Sequence, residues 1–140
     1  MNAATPISMP VVTSDRQAEH DPGGEVWVGV HTPGTELPER AERIGAALRE
    51  AGAPFVAARP HPDADLHAVH DPELLDHLEH GWERWRDAGL AADPGQERVV
   101  PYIFPTPGMV AAGRTRMPAA ISARAGWFAY DTMTLIGPGT

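Results

Sequence analysis

The sequence predicts an α/β fold, a mostly parallel sheet flanked by helices. Three observations carry that expectation. Short apolar runs at Met9–Val12, Phe55–Ala58 and Val99–Phe104 alternate with two longer stretches of helical periodicity. The first two runs read as buried strands, and a parallel sheet covered on both faces needs such runs. Each helical stretch opens on a Pro and stops at a Gly, as helix termini do.

The elements follow in order. Residues 1–8 read as an N-terminal tail, and Met9-Pro10-Val11-Val12 as the first strand. Thr13 to Pro38 reads mostly as loop, with turns at Asp21-Pro22-Gly23-Gly24 and Pro33-Gly34 around an extended Glu25–Val30. Pro38–Ala51 is the first helix, with Ala41, Ile44, Leu48 and Ala51 as its apolar stripe and Gly52 as its stop. Phe55–Ala58 is the second strand, and Asp63–Val69 forms one or two helical turns. Asp71 caps the second long helix, Pro72 starts it, and Leu74, Leu75, Leu78, Trp82 and Trp85 define its apolar face up to Gly89. Val99–Phe104 is a third apolar run. Pro105 to Met117 is loop, and Ile121 to Asp131 is ambiguous, its Trp127, Phe128 and Tyr130 suggesting packing. The closing Gly137-Pro138-Gly139-Thr140 has the turn and cap chemistry that opens a helix.

A chain of 140 residues with 42% apolar content suits one domain with a sizeable core. The 15 Pro and 14 Gly imply irregular connections. A net charge of −8 argues against nucleic acid and anionic membranes as partners. All 11 basic residues are Arg, which together with abundant Ala, Gly and Pro suggests a GC-rich bacterial gene. The absence of Cys removes disulfides, thiolate nucleophiles and Cys-type zinc sites. The first residues lack the pattern of a signal peptide, and no run approaches the ~20 apolar residues of a membrane span. A cytoplasmic location is expected.

Five of the seven His lie between His61 and His80, close to Asp63, Asp65, Asp71 and Asp76. His67 and His70, and His77 and His80, are spaced to share a helix face. These spacings match no specific metal template, and the expectation is that no residue of this chain ligates a metal. Of His77 and His80, at least one is expected to be solvated. His20, Asp21 and Glu25 form an acidic loop able to line the mouth of a site, or a plain polar turn. Arg40 stands in the first turn of a helix, where the macrodipole disfavours a cation. It is either solvated or turned into a cavity towards an anion. No nucleophile elbow or phosphate loop occurs.

Three stretches then resemble one family in register. Glu36-Leu37-Pro38-Glu39-Arg40-Ala41-Glu42-Arg43-Ile44 resembles the Pro-x-Arg helix start of histone deacetylases and acetylpolyamine amidohydrolases. Asp65 to Leu78, continuing as Trp82-Glu83-Arg84-Trp85-Arg86-Asp87-Ala88-Gly89, resembles the next signature, especially that of the bacterial acetylpolyamine group. Gly126-Trp127-Phe128-Ala129-Tyr130-Asp131 through Thr140 resembles the segment that leads into the following helix.

The resemblance implies that residues 9–140 form the incomplete N-terminal portion of an arginase/deacetylase-type fold, truncated before the catalytic centre. It implies zinc-dependent hydrolysis of an acetyl-amide on a lysine or polyamine-like amine in the full-length protein, and self-association as a homo-oligomer. The family's metal ligands, its His pair and its Tyr would all fall beyond Thr140, so no catalytic residue and no bound zinc are expected here. Arg40 matches the family Arg near an internal channel. Asp131 falls near the loop that meets substrate at the rim, and His20 lies in the region of the pocket mouth. Between Ser122 and Thr134 the sequence offers a single acid, Asp131, with Met133 where the acetylpolyamine pattern has another. The alternative class is a small acidic α/β interaction module without catalysis.

Overall fold

The computed structural model describes residues 7–105 and 116–140. Most of the expected N-terminal tail, residues 1–6, and residues 106–115 of the expected loop lie outside the described residues.

Strand β1 (Val11–Thr13) pairs in parallel with β4 (Phe55–Ala57), Val11 opposite Phe55 and Thr13 opposite Ala57. Parallel neighbours need a long crossover, and helix α1 (Pro38–Glu50) lies within it. The pair is extended at both ends by Val11 N–H to Pro54 O and Ala58 N–H to Thr13 O, each 2.8 Å. The parallel sheet with flanking helices is therefore as expected, but its strands are not buried. Val12 is 61% and Val56 47% exposed. Only two strands make up this sheet among the described residues, and no residue of α1 is buried.

The extended run expected at Glu25–Val30 is folded in two. β2 (Glu25–Trp27) and β3 (Val30–Thr32) form an antiparallel hairpin. Val28 and Gly29 make its two-residue turn, with φ of 49° and 79°. Positive φ at both positions matches the strand twist, yet a β-branched Val is an unusual occupant and gave no turn signal.

Helix termini follow local chemistry. Gly52, with φ of 76°, stops α1. After the short α2 (Asp63–His67), α3 (Pro72–Asp87) is capped by Asp71, whose Oδ1 accepts from Glu73 N–H at 2.8 Å, and Gly89 at φ 78° ends it. The buried stripe of α3 is His77, Gly81 and Trp85. It is rotated from the expected face, because Leu78 is 41% exposed.

The third apolar run yields no parallel strand. Val99 instead makes one antiparallel bridge to Ile136, with hydrogen bonds of 2.8 and 3.4 Å. Pro101 has no N–H to carry a ladder onward. The ambiguous stretch resolves into helix α4 (Ile121–Arg124) and a 3₁₀ turn at Ala125–Trp127. The core lies here: Trp85, Val99, Ile121, Ala125 and Ile136, with Trp82, Leu90, Ala91 and Val100 around them. Trp85 Nε1–H donates to Gln96 O at 2.8 Å, so its one polar atom is satisfied inside the core.

Gly126 packs so closely on this unit that a Cβ there would stand 1.8 Å from the Ile103 carbonyl oxygen. Gly126→Ala is expected to destabilise the protein by more than ~2 kcal/mol, since backbone must move. Gly52→Ala, in open space at positive φ, should cost about 1 kcal/mol. Urea unfolding of both variants followed by circular dichroism checks the order.

Candidate functional site

The residues singled out from sequence fall in two places. Arg40 and His20 line one groove of about 440 Å³ between β1 and α1, with Gln17, Glu36 and Leu48. The Arg40 guanidinium pairs with the Glu36 carboxylate one helical turn away. That partner offsets the unfavourable macrodipole at the start of α1. Both side chains remain more than half exposed, 58% and 55%, so the pair is open to exchange with another anion or cation.

Asp131 does not line this groove. It is exposed, and its Oδ1 accepts from Met133 N–H at 2.8 Å, Thr134 N–H at 3.2 Å and Thr134 Oγ1 at 3.4 Å, an Asx turn. The next residue, Thr132, donates its hydroxyl to Val26 O at 2.7 Å. Thr132 also lines a larger cavity of about 620 Å³ with Val26, His31, Trp85, Ile103 and Ser122. His20 links the two places: its Nδ1 lies 3.3 Å from Thr140 Oγ1, at the end of the run that begins with Asp131.

The cluster that sequence did not single out is charged. Asp76 accepts a two-pronged contact from Arg84, at 2.7 and 2.8 Å, and a third bond from Arg124 at 2.8 Å. The hydrogen bond from Arg84 and the positive charge of both guanidinia lower the Asp76 carboxyl to about 2. Beside it His77 is buried and stacks on Phe128, ring centroids 5.0 Å apart. Burial, then the charges of Arg124 and Arg84, push its pKa below the ordinary imidazole value. Its Nδ1 has no partner among the described residues. The network's spacing hides it: Asp76 and Arg84 are eight positions apart and Arg124 lies 48 from Asp76. The burial of His77 could have been found, because His77, Gly81 and Trp85 repeat every fourth residue with a Gly at the centre.

The His-rich stretch does not converge. Among the described residues no three His, Asp or Glu are grouped to hold a metal ion. His61 Nδ1 lies 3.6 Å from Asp65, His80 Nε2 lies 3.9 Å from Glu79, and His77 is enclosed. The described residues do not fit a zinc site, and no chemical step is derived through one. No helix among them is long and apolar enough to cross a membrane.

No protein-family model matches the chain. The acetylpolyamine amidohydrolase of Mycoplana ramosa is 32% identical over 133 residues, 94% of this chain and 36% of its own length. Acetylpolyamine amidohydrolase 1 of Pseudomonas aeruginosa is 28% identical over 130 residues, 92% of this chain and 36% of its own. The crystal structure of an acetylpolyamine aminohydrolase from Burkholderia pseudomallei superposes with a TM-score of 0.75 at 26% identity, over 95% of this chain and 36% of that one. Over nearly its whole length the chain is similar to acetylpolyamine amidohydrolases. It spans 36% of the length of these relatives. The parallel sheet with its flanking helices is consistent with an incomplete portion of the fold of that crystal structure.

The charged cluster sets the acid response. His77 is held neutral by burial, so unfolding takes up a proton below the ordinary value of 6.5. Stability is full above that pH and declines as pH falls through it. Asp76 adds a further loss between 3.8 and about 2. Urea midpoints measured from pH 7.5 to 5 are expected to fall for the natural protein and to change less for His77→Gln. Asp76→Asn at pH 7 should cost about 1–2 kcal/mol, because two guanidinia lose the charge between them.

Proposed function

We propose that this protein serves the hydrolysis of an acetyl-amide carried by a lysine or a polyamine-like amine, and that residues 9–140 supply its scaffold and substrate rim rather than its bond-breaking centre. Kinship with the acetylpolyamine amidohydrolases over nearly the whole chain is the observation that supports this reading. The zinc used in such chemistry would be held by residues other than those described here. A cytoplasmic setting and self-association as a homo-oligomer belong to the same proposal.

Three residues carry the substrate side of it. Arg40, facing the groove beside β1, would meet a small anion such as released acetate. To do so its guanidinium would exchange Glu36 for the ligand, at little cost for an exposed pair. Asp131 would meet the cationic amine at the rim; its turn bonds fall on Oδ1 and leave Oδ2 to face a ligand. His20 would border the Arg40 groove, which it lines. A single rim acid favours recognition of one ammonium group over a row of them.

The purified 140-residue chain is expected neither to cleave an acetyl-lysine peptide or acetylated polyamine nor to bind zinc tightly at one equivalent, as read by isothermal titration. Grafted in place of the equivalent segment of the Mycoplana ramosa enzyme, it is expected to restore hydrolysis. Asp131→Asn in that chimera should raise KM for the cationic substrate several-fold, the scale of one exposed charge contact. Hydrolysis by the isolated chain, or a folded chimera without activity, would overturn the reading.

A further inference from the structure

The Glu19–Val26 loop and the Thr132–Thr140 run lie side by side although 106 to 120 positions separate their contacting residues. We infer that Arg98 is a positioning residue that rivets these two segments together and so sets the His20 ring against Thr140. The purpose of that rim rests on the proposed function; the rivet itself rests on geometry.

Arg98 is next to Val99, whose backbone bridge to Ile136 delivers its side chain to the seam. Its Nη1 donates to Glu97 O at 2.8 Å, which fixes the guanidinium plane, and its Nε donates to Asp21 O at 3.2 Å. The guanidinium is held between two glycines. A Cβ on Gly23 would stand 3.5 Å from Nη2, and one on Gly137 would stand 2.7 Å from Nε. Asp21 Oδ1 accepts from Gly23 N–H at 2.9 Å and holds that loop in shape.

Beyond Arg98 the segments touch again. Gly139 lies against the Glu19 carbonyl so closely that a Cβ would be 1.9 Å from its oxygen. Only a glycine permits this approach. The turn then closes on itself: Gly137 N–H donates to Thr140 Oγ1 at 2.9 Å and Thr140 N–H to Gly137 O at 3.3 Å.

The consequence concerns a proton. Thr140 Oγ1 already accepts from Gly137, so its own hydroxyl hydrogen is available to His20 Nδ1 at 3.3 Å. When the hydroxyl donates, Nδ1 is the acceptor and the neutral ring carries its hydrogen on Nε2. The clamp therefore selects which edge of His20 can donate to a ligand at the mouth of the Arg40 groove. Arg98 acts through Asp21, the neighbour of His20, and through Gly137, the partner of Thr140.

Two measurements test this on the chain as it stands. The first is a double-mutant cycle. Gly137→Ala is expected to raise the unfolding equilibrium constant about tenfold when Arg98 is present, and by less than about threefold in an R98A background, where only Asp21 O, 3.3 Å from the added methyl, still crowds it. Gly139→Ala clashes with backbone, so its effect should be the same in both backgrounds. Additive effects of G137A and R98A would overturn the proposal. The second is the nitrogen-15 spectrum of the His20 ring at pH 8. It should show the Nε2–H tautomer in the natural chain and a shift towards a mixture in R98A and in the gentler R98K. An unchanged tautomer in both variants would overturn it equally. An inactive chimera would remove the functional reading and leave the clamp standing, whereas an additive cycle would do the reverse.

Discussion

The arrangement depends on one backbone pairing, the bridge between Val99 and Ile136. Both residues are almost fully buried, at 1% and 6% exposure, so their N–H and C=O groups must be paired or carry a heavy desolvation cost. They pair with each other. That brings Val99 and Ile136 into one core with Trp85, Ile121 and Ala125. The bridge also fixes what stands beside it. Arg98 is delivered to the Asp21 loop, and Thr132 reaches Val26 across the chain.

Around that pairing, charge performs what a longer helix would otherwise do. α4 has four residues, far too few to persist as a helix alone. It is held by the burial of Ile121 and by Arg124, which shares the Asp76 carboxylate with Arg84. Two guanidinia about one carboxylate leave local positive charge. A neutral imidazole at His77 is the form that such surroundings favour, and Phe128 stacked on its ring keeps water away. The same segment lines the larger cavity through Ser122 and Ala123, so the polar cluster and the cavity wall are mechanically one piece.

What could be read from sequence was what short-range chemistry decides. Pro38, Asp71, Pro72, Gly52 and Gly89 mark helix ends because capping and φ preference act within a turn, and the helices lie where those residues put them. Long-range outcomes were hidden. Nothing near Val28 announces a positive φ, and nothing in Val99–Phe104 says that its partner is Ile136 and antiparallel. Val11-Val12 and Phe55-Val56 read as buried because composition reports hydrophobicity, not what covers it. For the site, Arg40 and His20 came from separate stretches and do share a groove, while Asp131 does not line it. Arg98 was silent: an Arg between Glu97 and Val99 has no local signature, and Gly137 and Gly139 gain meaning only from what approaches them.

The net charge of −8 fits this division of labour. Many of the described carboxylates serve structure. Asp71 caps α3, Asp21 and Asp131 close turns, Glu25 holds Thr35, Glu36 holds Arg40, and Asp76 joins two helices. Acids held in caps, turns and ion pairs in this way shape the surface and its field. A diffuse negative field of this kind attracts cations from a distance without a dedicated row of acids at any one place.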